Sequence, residues 1–377
     1  METFGHYSTR FKLATFYDAY AKRNQWGKGG RRNFETRAKK IRVLQRIIRR
    51  VFHMTLRAYL IRRVIVIIPT FFFISVLIFS LIHLAPGDPV QAMVGRHPPD
   101  REAMQMLREQ LGLDQPVPVQ YLLWASRLVR GDLGYSYVSG RPVWEMISEK
   151  IWNTLELMLF AEIVSVLIAV ILGVIAAVKH HSLIDATCSL AALVGYSAPN
   201  FWLALIGILV FSMMLRWLPA FGTASQGVTF GSPLLAIIDH LKHLVLPVSI
   251  LIITWTAYLY RLVRASMLEV LQQDYITTAR AKGVKERVVI YKHALRNALL
   301  PVVTYLGFSM GFLLSGAAVL EFIFSWPGLG DFMVQVASAR DYPVIMGLSM
   351  IIALMVLFAN LAADVTYALI DPRIRYD

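Results

Sequence analysis

The stretch VIVIIPTFFFISVLIFSLIHL at residues 64–84 contains no Lys, Arg, Asp or Glu. A helix rises about 1.5 Å per residue, so these 21 residues reach about 31 Å, the thickness of a bilayer's hydrocarbon core. Further apolar runs follow near residues 155–178, 186–215, 244–263, 299–320 and 344–370. The sequence therefore predicts an all-α integral membrane protein with six transmembrane helices. Composition agrees: of 377 residues, 56% are hydrophobic and 16% charged, with a mean hydropathy of +0.54. A globular domain carries about 25% charged residues, and a chain this apolar is not disordered. A single cysteine, Cys188, excludes a disulfide framework and a cysteine-based zinc site within the chain.

Charge sets the direction of the spans. Residues 1–63 hold 17 Lys and Arg against 3 Asp and Glu, which accounts for the whole formal charge of +14. A basic chain is often a nucleic-acid binder. Here the excess lies just before the first apolar run, where it holds the N-terminus in the cytoplasm, and no nucleic-acid partner is expected. The loop at 85–153 then lies outside, with 7 basic and 8 acidic residues; the loop at 264–298 lies inside, with 7 against 3. Both termini are expected in the cytoplasm. The first run is too long and too deep in the chain for a signal peptide.

The predicted organisation starts with a basic N-terminal extension, 1–53. Ile41, Leu44, Ile48, Val51 and Phe52 recur there at helical spacing among Arg and Lys, as in an amphipathic helix on an anionic membrane face. Alternatively Met54 is the true start, and the extension is not translated. A leader and the first span follow at 54–84, then an external loop at 85–153 read as a small cap, then a five-span core at 154–377. In the cap, Asp100 is placed to begin a helix that stops at Gly112, and Gly131-Asp132-Leu133-Gly134 marks a turn.

Catalytic signatures are missing. The sequence contains no GxxxxGK[ST], HExxH or GxSxG, and Gly27-Lys28-Gly29-Gly30 lacks the phosphate-loop spacing. His180 and His181 are adjacent in a short turn, and His240 and His243 border the fourth span; neither pair is read as a metal site. The long inner loop is the most distinctive segment, reading DYITTARAKG at 274–283 and HALRNALLP at 293–301. It is expected to form a short helix, a glycine stop and a second helix leading into the fifth span. Ala279 and Gly283 are small enough to let another protein surface approach.

Other features lie within the spans. Ser197-Ala198-Pro199-Asn200 interrupts the third, where Pro199 cannot bond the carbonyl of Gly195, so a kink lining a substrate path is one reading and plain packing another. Asn360 and Asp364 sit four apart in the sixth span, polar groups that read as functional or as a helix-to-helix hydrogen bond. Gly307, Gly311 and Ser315 form a small-residue face for close packing, within the chain or against a partner.

The run TTARAKG followed by KHALRNALLPVV resembles the coupling loop of ABC-importer permeases, the dipeptide/oligopeptide branch in particular. Thr277-Thr278-Ala279 stands where the generic motif has Glu-Ala-Ala, so only the final Ala and Gly283 match it. Further resemblances run in order: Ala85-Pro86-Gly87-Asp88-Pro89, LGLDQPVPVQY from Leu111, Gly131-Asp132-Leu133-Gly134, Ser325-Trp326-Pro327-Gly328-Leu329-Gly330, Arg340-Asp341-Tyr342-Pro343 and the tail DPRIRY. They cover residues 54–377.

The resemblance implies a type I ABC importer permease fold and a non-catalytic transport subunit of a prokaryotic inner membrane. Its implied partners are a second, homologous permease, two cytoplasmic ATP-binding subunits and an extracytoplasmic substrate-binding protein. ATP and Mg belong to those ATPase subunits, and no cofactor is expected on this chain. Coupling to the ATPases falls to Ala279, Arg280, Lys282 and Gly283, with Asp274 and Thr278 beside them. Di- or oligopeptide cargo is implied, although relatives in the branch carry nickel complexes, glutathione, opines or modified sugars. A gradient-driven secondary transporter is the alternative, but it calls for inverted repeats that the sequence does not display. A membrane-embedded enzyme or scaffold would need a reactive constellation or a large exterior domain.

Overall fold

The computed structural model describes residues 56–84, 90, 101–311, 313 and 316–370. Expectations for the basic extension, Ala85–Pro89, Asp100, Ser315 and the DPRIRY tail fall outside the described residues. Residues 62–371 form one compact unit; the chain's two ends form another, of which only the start of the first helix is described.

The described residues are helical throughout, joined by turns, with a lone antiparallel bridge between Tyr135 and Pro142. In chain order they form α1 (Leu56–Leu84), α2 (Arg101–Leu111), α3 (Val117–Val129), α4 (Val143–Val178), α5 (Leu183–Ser197) and α6 (Asn200–Gly207). The last of these widens into π-helical turns over Ile208–Met214. Then come α7 (Pro233–Leu271), α8 (Asp274–Ala281), α9 (Glu286–Val288), a π-helical stretch Val289–Ala294, α10 (Leu295–Ala298) and α11 (Leu300–Ser309). The chain closes with α12 (Ala318–Ile323), α13 (Leu329–Ser338) and α14 (Tyr342–Ile370).

Four helices are long and apolar enough to cross a membrane: Arg62–Leu84, Val143–Val178, Pro233–Leu271 and Tyr342–Ala363. A fifth crossing results if α5 and Asn200–Met214 count together, although they meet at 99°. The expected run at 299–320 is not one helix. It gives α11, a turn at Met310 and Gly311, and the short α12, with Gly316 at φ +70° between them. Proline in the first turn of α11 and glycines after it fix where that helix starts and stops.

The long helices exceed the runs that announced them. With 36 residues, α4 extends about 54 Å and begins at Val143, well before residue 155. Its extra turns are amphipathic. Val143 and Ile147 are buried against Leu329, Phe332, Val344 and Leu348, while Arg141 pairs with Glu145 and Glu149 on the exposed side. Similarly α7 starts at Pro233, behind Ser232, whose hydroxyl accepts the Leu235 N–H.

The packing axis of the unit is α4 against α7. Gly173 permits it, since a Cβ there would lie 2.7 Å from Val263 Cγ1. Tyr260, Val263, Met267, Ile276, Ile290 and Ala298 share one buried cluster, and Leu157, Leu246, Leu251 and Trp326 another. Outward faces are apolar: Ile68, Phe73, Leu183 and Leu190 are exposed, as expected of helix surfaces turned to lipid. The small-residue face packs within the chain. Gly307 sits against Ala363, and Gly311 against Asn360 and the Val356 carbonyl, so α14 approaches α11 closely.

Candidate coupling loop and membrane path

The segment after α7 is built as the sequence predicts. Helix α8 is anchored by Ile276, fully buried among Met267, Val289, Ile290 and Ala294. Asn297 Nδ2 donates to the Tyr275 hydroxyl at 2.8 Å, tying α8 to α10. Within α8 the Thr278 hydroxyl donates to the Asp274 carbonyl at 2.8 Å. The helix then ends on a glycine: Gly283 has φ +75°, its N–H donates to the Arg280 carbonyl at 2.9 Å, and Val284 N–H donates to the Ala279 carbonyl at 3.3 Å. Lys282 N–H donates to the Thr278 carbonyl.

Asp274, Thr278, Arg280, Lys282 and Gly283 are brought together on one exposed knob. Ala279 is not on it. That residue is half-buried and packs on the chain's own core, so it is small because α8 lies close to its support. Nothing lies within 4 Å of a Cβ built on Gly283, so its backbone conformation, not crowding inside the chain, calls for glycine. Arg280 pairs with Glu286 at 2.8 Å across the glycine turn. The carboxylate raises the guanidinium's pKa, and the guanidinium holds Glu286 below the usual carboxylate range.

The same end of the bundle holds a half-buried ion pair. Arg264 Nε and Nη2 reach Asp185 Oδ1 and Oδ2 at 2.6 and 2.8 Å, and Asp185 also accepts the His181 N–H. His180 and His181 flank this turn as ordinary turn residues; among the described residues no group of three or more His, Cys, Asp or Glu is arranged for a metal. At the far end of α5, Ser197, Pro199 and Asn200 mark a break sharper than the expected kink. Backbone at Ala198 and Pro199 is extended (ψ 129° and 132°), and α6 leaves at 99° to α5. Pro199 removes the N–H that would have bonded Gly195, and two extended residues turn a kink into a corner. All three side chains are exposed.

At the opposite end of the bundle a buried carboxylate organises the Ser325–Gly330 stretch. Glu321 Oε2 accepts the Gly330 N–H at 2.7 Å and the Asp331 N–H at 3.1 Å, while Thr154 Oγ1 donates to Oε1. Thr154 Oγ1 in turn accepts the Leu329 N–H at 2.7 Å. Both glycines are demanded by space: a Cβ on Gly330 would lie 2.5 Å from Ala318 Cα, and one on Gly328 2.5 Å from Thr154 Oγ1. Trp326 is fully buried and donates its indole N–H to the Asn153 carbonyl at 2.9 Å. Burial pushes the Glu321 carboxyl up, against four hydrogen bonds that oppose it, and does the same to Asp331. Asp341 performs a similar service nearby, accepting from the Ser136 hydroxyl and the Tyr137 N–H. His240 bonds both oxygens of Glu156, and His243 lies against Asp239.

Within the apolar middle, Asn360 lies on α14 with its Oδ1 near Gly311. Asp364 lies in the same helix, and its side chain is outside the described residues. Glu162, a carboxylate near the middle of α4, is a charge inside the second apolar run. It is buried, and it accepts the Ser309 hydroxyl at 2.7 Å.

A helical chain with four or five membrane-length spans and apolar outer faces belongs to the class of multi-pass membrane proteins. The comparisons give the family. Residues 169–376 match the binding-protein-dependent transport system inner membrane component family, and residues 56–158 match the N-terminal component of the same type. The oligopeptide transport system permease protein of Bacillus subtilis is 43% identical over 320 residues, covering 85% of this chain and 99% of that protein. The dipeptide transport system permease protein of Escherichia coli K12 is 41% identical, covering 84% and 98%, and a putative peptide permease of Brucella suis is 42% identical over the same shares. The chain belongs to the binding-protein-dependent transport system inner membrane component family. It is thus a multi-pass inner-membrane permease subunit of an ABC importer.

Proposed function

We propose that this permease imports di- or oligopeptides, forming the translocation path with a second, homologous permease of type I ABC importer fold. Six crossings are inferred: the four long helices, the cornered pair α5 and α6, and the 299–320 segment in which α11 covers only part of the depth. Both termini then face the cytoplasm. Residues 85–153 are the external loop and cap, and the α8 knob projects inward to two ATP-binding subunits that carry ATP and Mg. An extracytoplasmic binding protein delivers cargo to the opposite end, where Glu321 and Asp341 stiffen the surface.

The observation that carries this reading is the exposed, internally braced knob formed by Asp274, Thr278, Arg280, Lys282 and Gly283 on a helix seated by Ile276. A short helix fixed to its own bundle at one face and bare at the other transmits a push from an ATPase without bending. Ser197, Pro199 and Asn200 are proposed for the path, at the corner where two half-helices leave exposed polar groups at membrane depth. Asn360 and Asp364 are proposed as intramembrane polar groups, functional or bonding helix to helix. The test is purification of the tagged chain from its native membrane, followed by reconstitution. Recovery of ATP-binding subunits and a second permease, with ATP-dependent dipeptide uptake, is expected; a chain recovered alone, with uptake unaffected by ATP depletion, would overturn the reading.

A further inference from the structure

A carboxylate near the middle of a membrane span is costly unless something compensates it, and such groups mark ligand or ion paths. Glu162 is 5% exposed, and among the described residues its carboxylate has one hydrogen bond, from Ser309, and no basic partner. An ionised carboxylate accepts about four hydrogen bonds, so most of its capacity is unused. It faces a cavity of about 200 Å³ lined also by Met158, Trp255, Tyr305, Phe308, Ser309 and Leu313. That volume admits a small charged group beside the carboxyl.

The lining has a definite chemistry. Two rings that attract cations by their faces, Trp255 of α7 and Tyr305 of α11, line the cavity with the one carboxyl group, from α4. Tyr258 lies tilted against Tyr305, with ring centroids 5.2 Å apart. Ser165 Oγ, one turn along α4, and Thr256 Oγ1, next to Trp255, are buried with no hydrogen-bond partner among the described residues. No basic side chain lines the cavity, so its charge is uncompensated from within.

We propose that Glu162, Trp255 and Tyr305 form a mid-membrane site for a primary ammonium group, occupied in passage by the protonated α-amino end of a peptide. The site recognises the one cationic group that unmodified peptides share whatever their side chains. The assignment of that ammonium to a peptide rests on the importer reading above; the affinity for an ammonium group does not.

The test labels Glu162 with a hydrophobic carbodiimide in the full-length chain, held in nanodiscs with its co-purifying subunits, and reads the adduct by peptide mass spectrometry. At ten times its Kd, alanyl-alanine is expected to slow labelling about tenfold by occupancy. N-acetyl-alanyl-alanine, which lacks the ammonium, is expected to leave the rate unchanged. Equal protection by both, protection by neither, or a Glu162 that the reagent never reaches would each overturn the site. Glu162→Gln keeps an acceptor for Ser309 and is expected to lower dipeptide uptake about tenfold at equal abundance of the assembled complex; wild-type uptake by that variant would also overturn it. If the wild-type complex takes up no dipeptide while ammonium-dependent protection persists, the peptide-importer reading fails and the site stands.

Discussion

Arg264 grips Asp185 with two parallel hydrogen bonds, Nε to Oδ1 at 2.6 Å and Nη2 to Oδ2 at 2.8 Å. The pair clamps the start of α5 to the last turns of α7, the helix that leads directly into the α8 knob. A load applied to α8 is thereby shared by α7 and α5.

Only arginine offers that fork. Arg264→Lys is expected to lose one of the two bonds, and Asp185→Asn to leave a half-buried guanidinium unpaired, each costing about 1.5–3 kcal/mol. Thermal unfolding of the purified chain in detergent checks this, with lowered melting temperatures expected for both. Unchanged melting would show the clamp to be dispensable.

Gly283 separates conformation from contact. At φ +75° alanine meets a strain of about 1–2 kcal/mol, whereas asparagine tolerates the left-handed region. Gly283→Asn is therefore expected to keep the loop's shape while filling the open space beside it, and Gly283→Leu to do both kinds of harm. Uptake and ATPase activity in proteoliposomes distinguish them. Loss of uptake in Gly283→Asn with retained hydrolysis is expected if the knob seats against an ATPase.

Gly330→Ala places a Cβ against Ala318 Cα at 2.5 Å, a backbone neighbour that cannot swing aside. Overpacking of this kind costs about 1–3 kcal/mol. Thr154→Val, which removes the donor to Glu321 and the acceptor for Leu329, is expected to destabilise the same region. Protease sensitivity of the 316–330 segment should rise in both variants.

Burial raises the carboxyl groups of both Glu321 and Asp331, which lie outside the long spans. Their folded pKa values thus exceed the unfolded values of about 4.3 and 3.9. The stability they contribute is complete below those values and is lost as pH rises through the raised ones. Relative to Glu321→Gln, the wild type is expected to lose melting temperature as pH is raised from about 4 towards neutral. Identical profiles for variant and wild type would contradict this.

Much of the architecture is legible in the sequence because apolar runs of membrane length have few other uses. The first, second, fourth and sixth runs all recur as long helices, and the TTARAKG stretch folds into the helix and glycine stop read from it. Pro199 announces an interruption, but its angle depends on two extended residues whose direction the packing of Gly195 on Ile253 decides. The 299–320 run is apolar without being continuous helix, since hydropathy does not register glycines that end helices. Val143 to Thr154 reads as loop because its amphipathic face is recognisable only once Phe332 and Val344 are known to lie opposite. Ala279 looks like a docking residue for the same reason that it packs inward: both require a small side chain. Glu162 was visible as a charge inside a span, and only the cavity with Trp255 and Tyr305 tells what it faces.

The central claim, that the α8 knob meets an ATP-binding subunit, is tested most directly by cross-linking from Lys282. Cys188 is the chain's single cysteine, so Cys188→Ser with Lys282→Cys leaves one thiol, on the exposed knob. Treated in native membranes with a short thiol-to-amine linker, that thiol is expected to join the chain to a co-purifying ATPase, with a yield that changes when ATP is added. A cross-link to no ATPase, from a variant that still takes up cargo, would contradict the account.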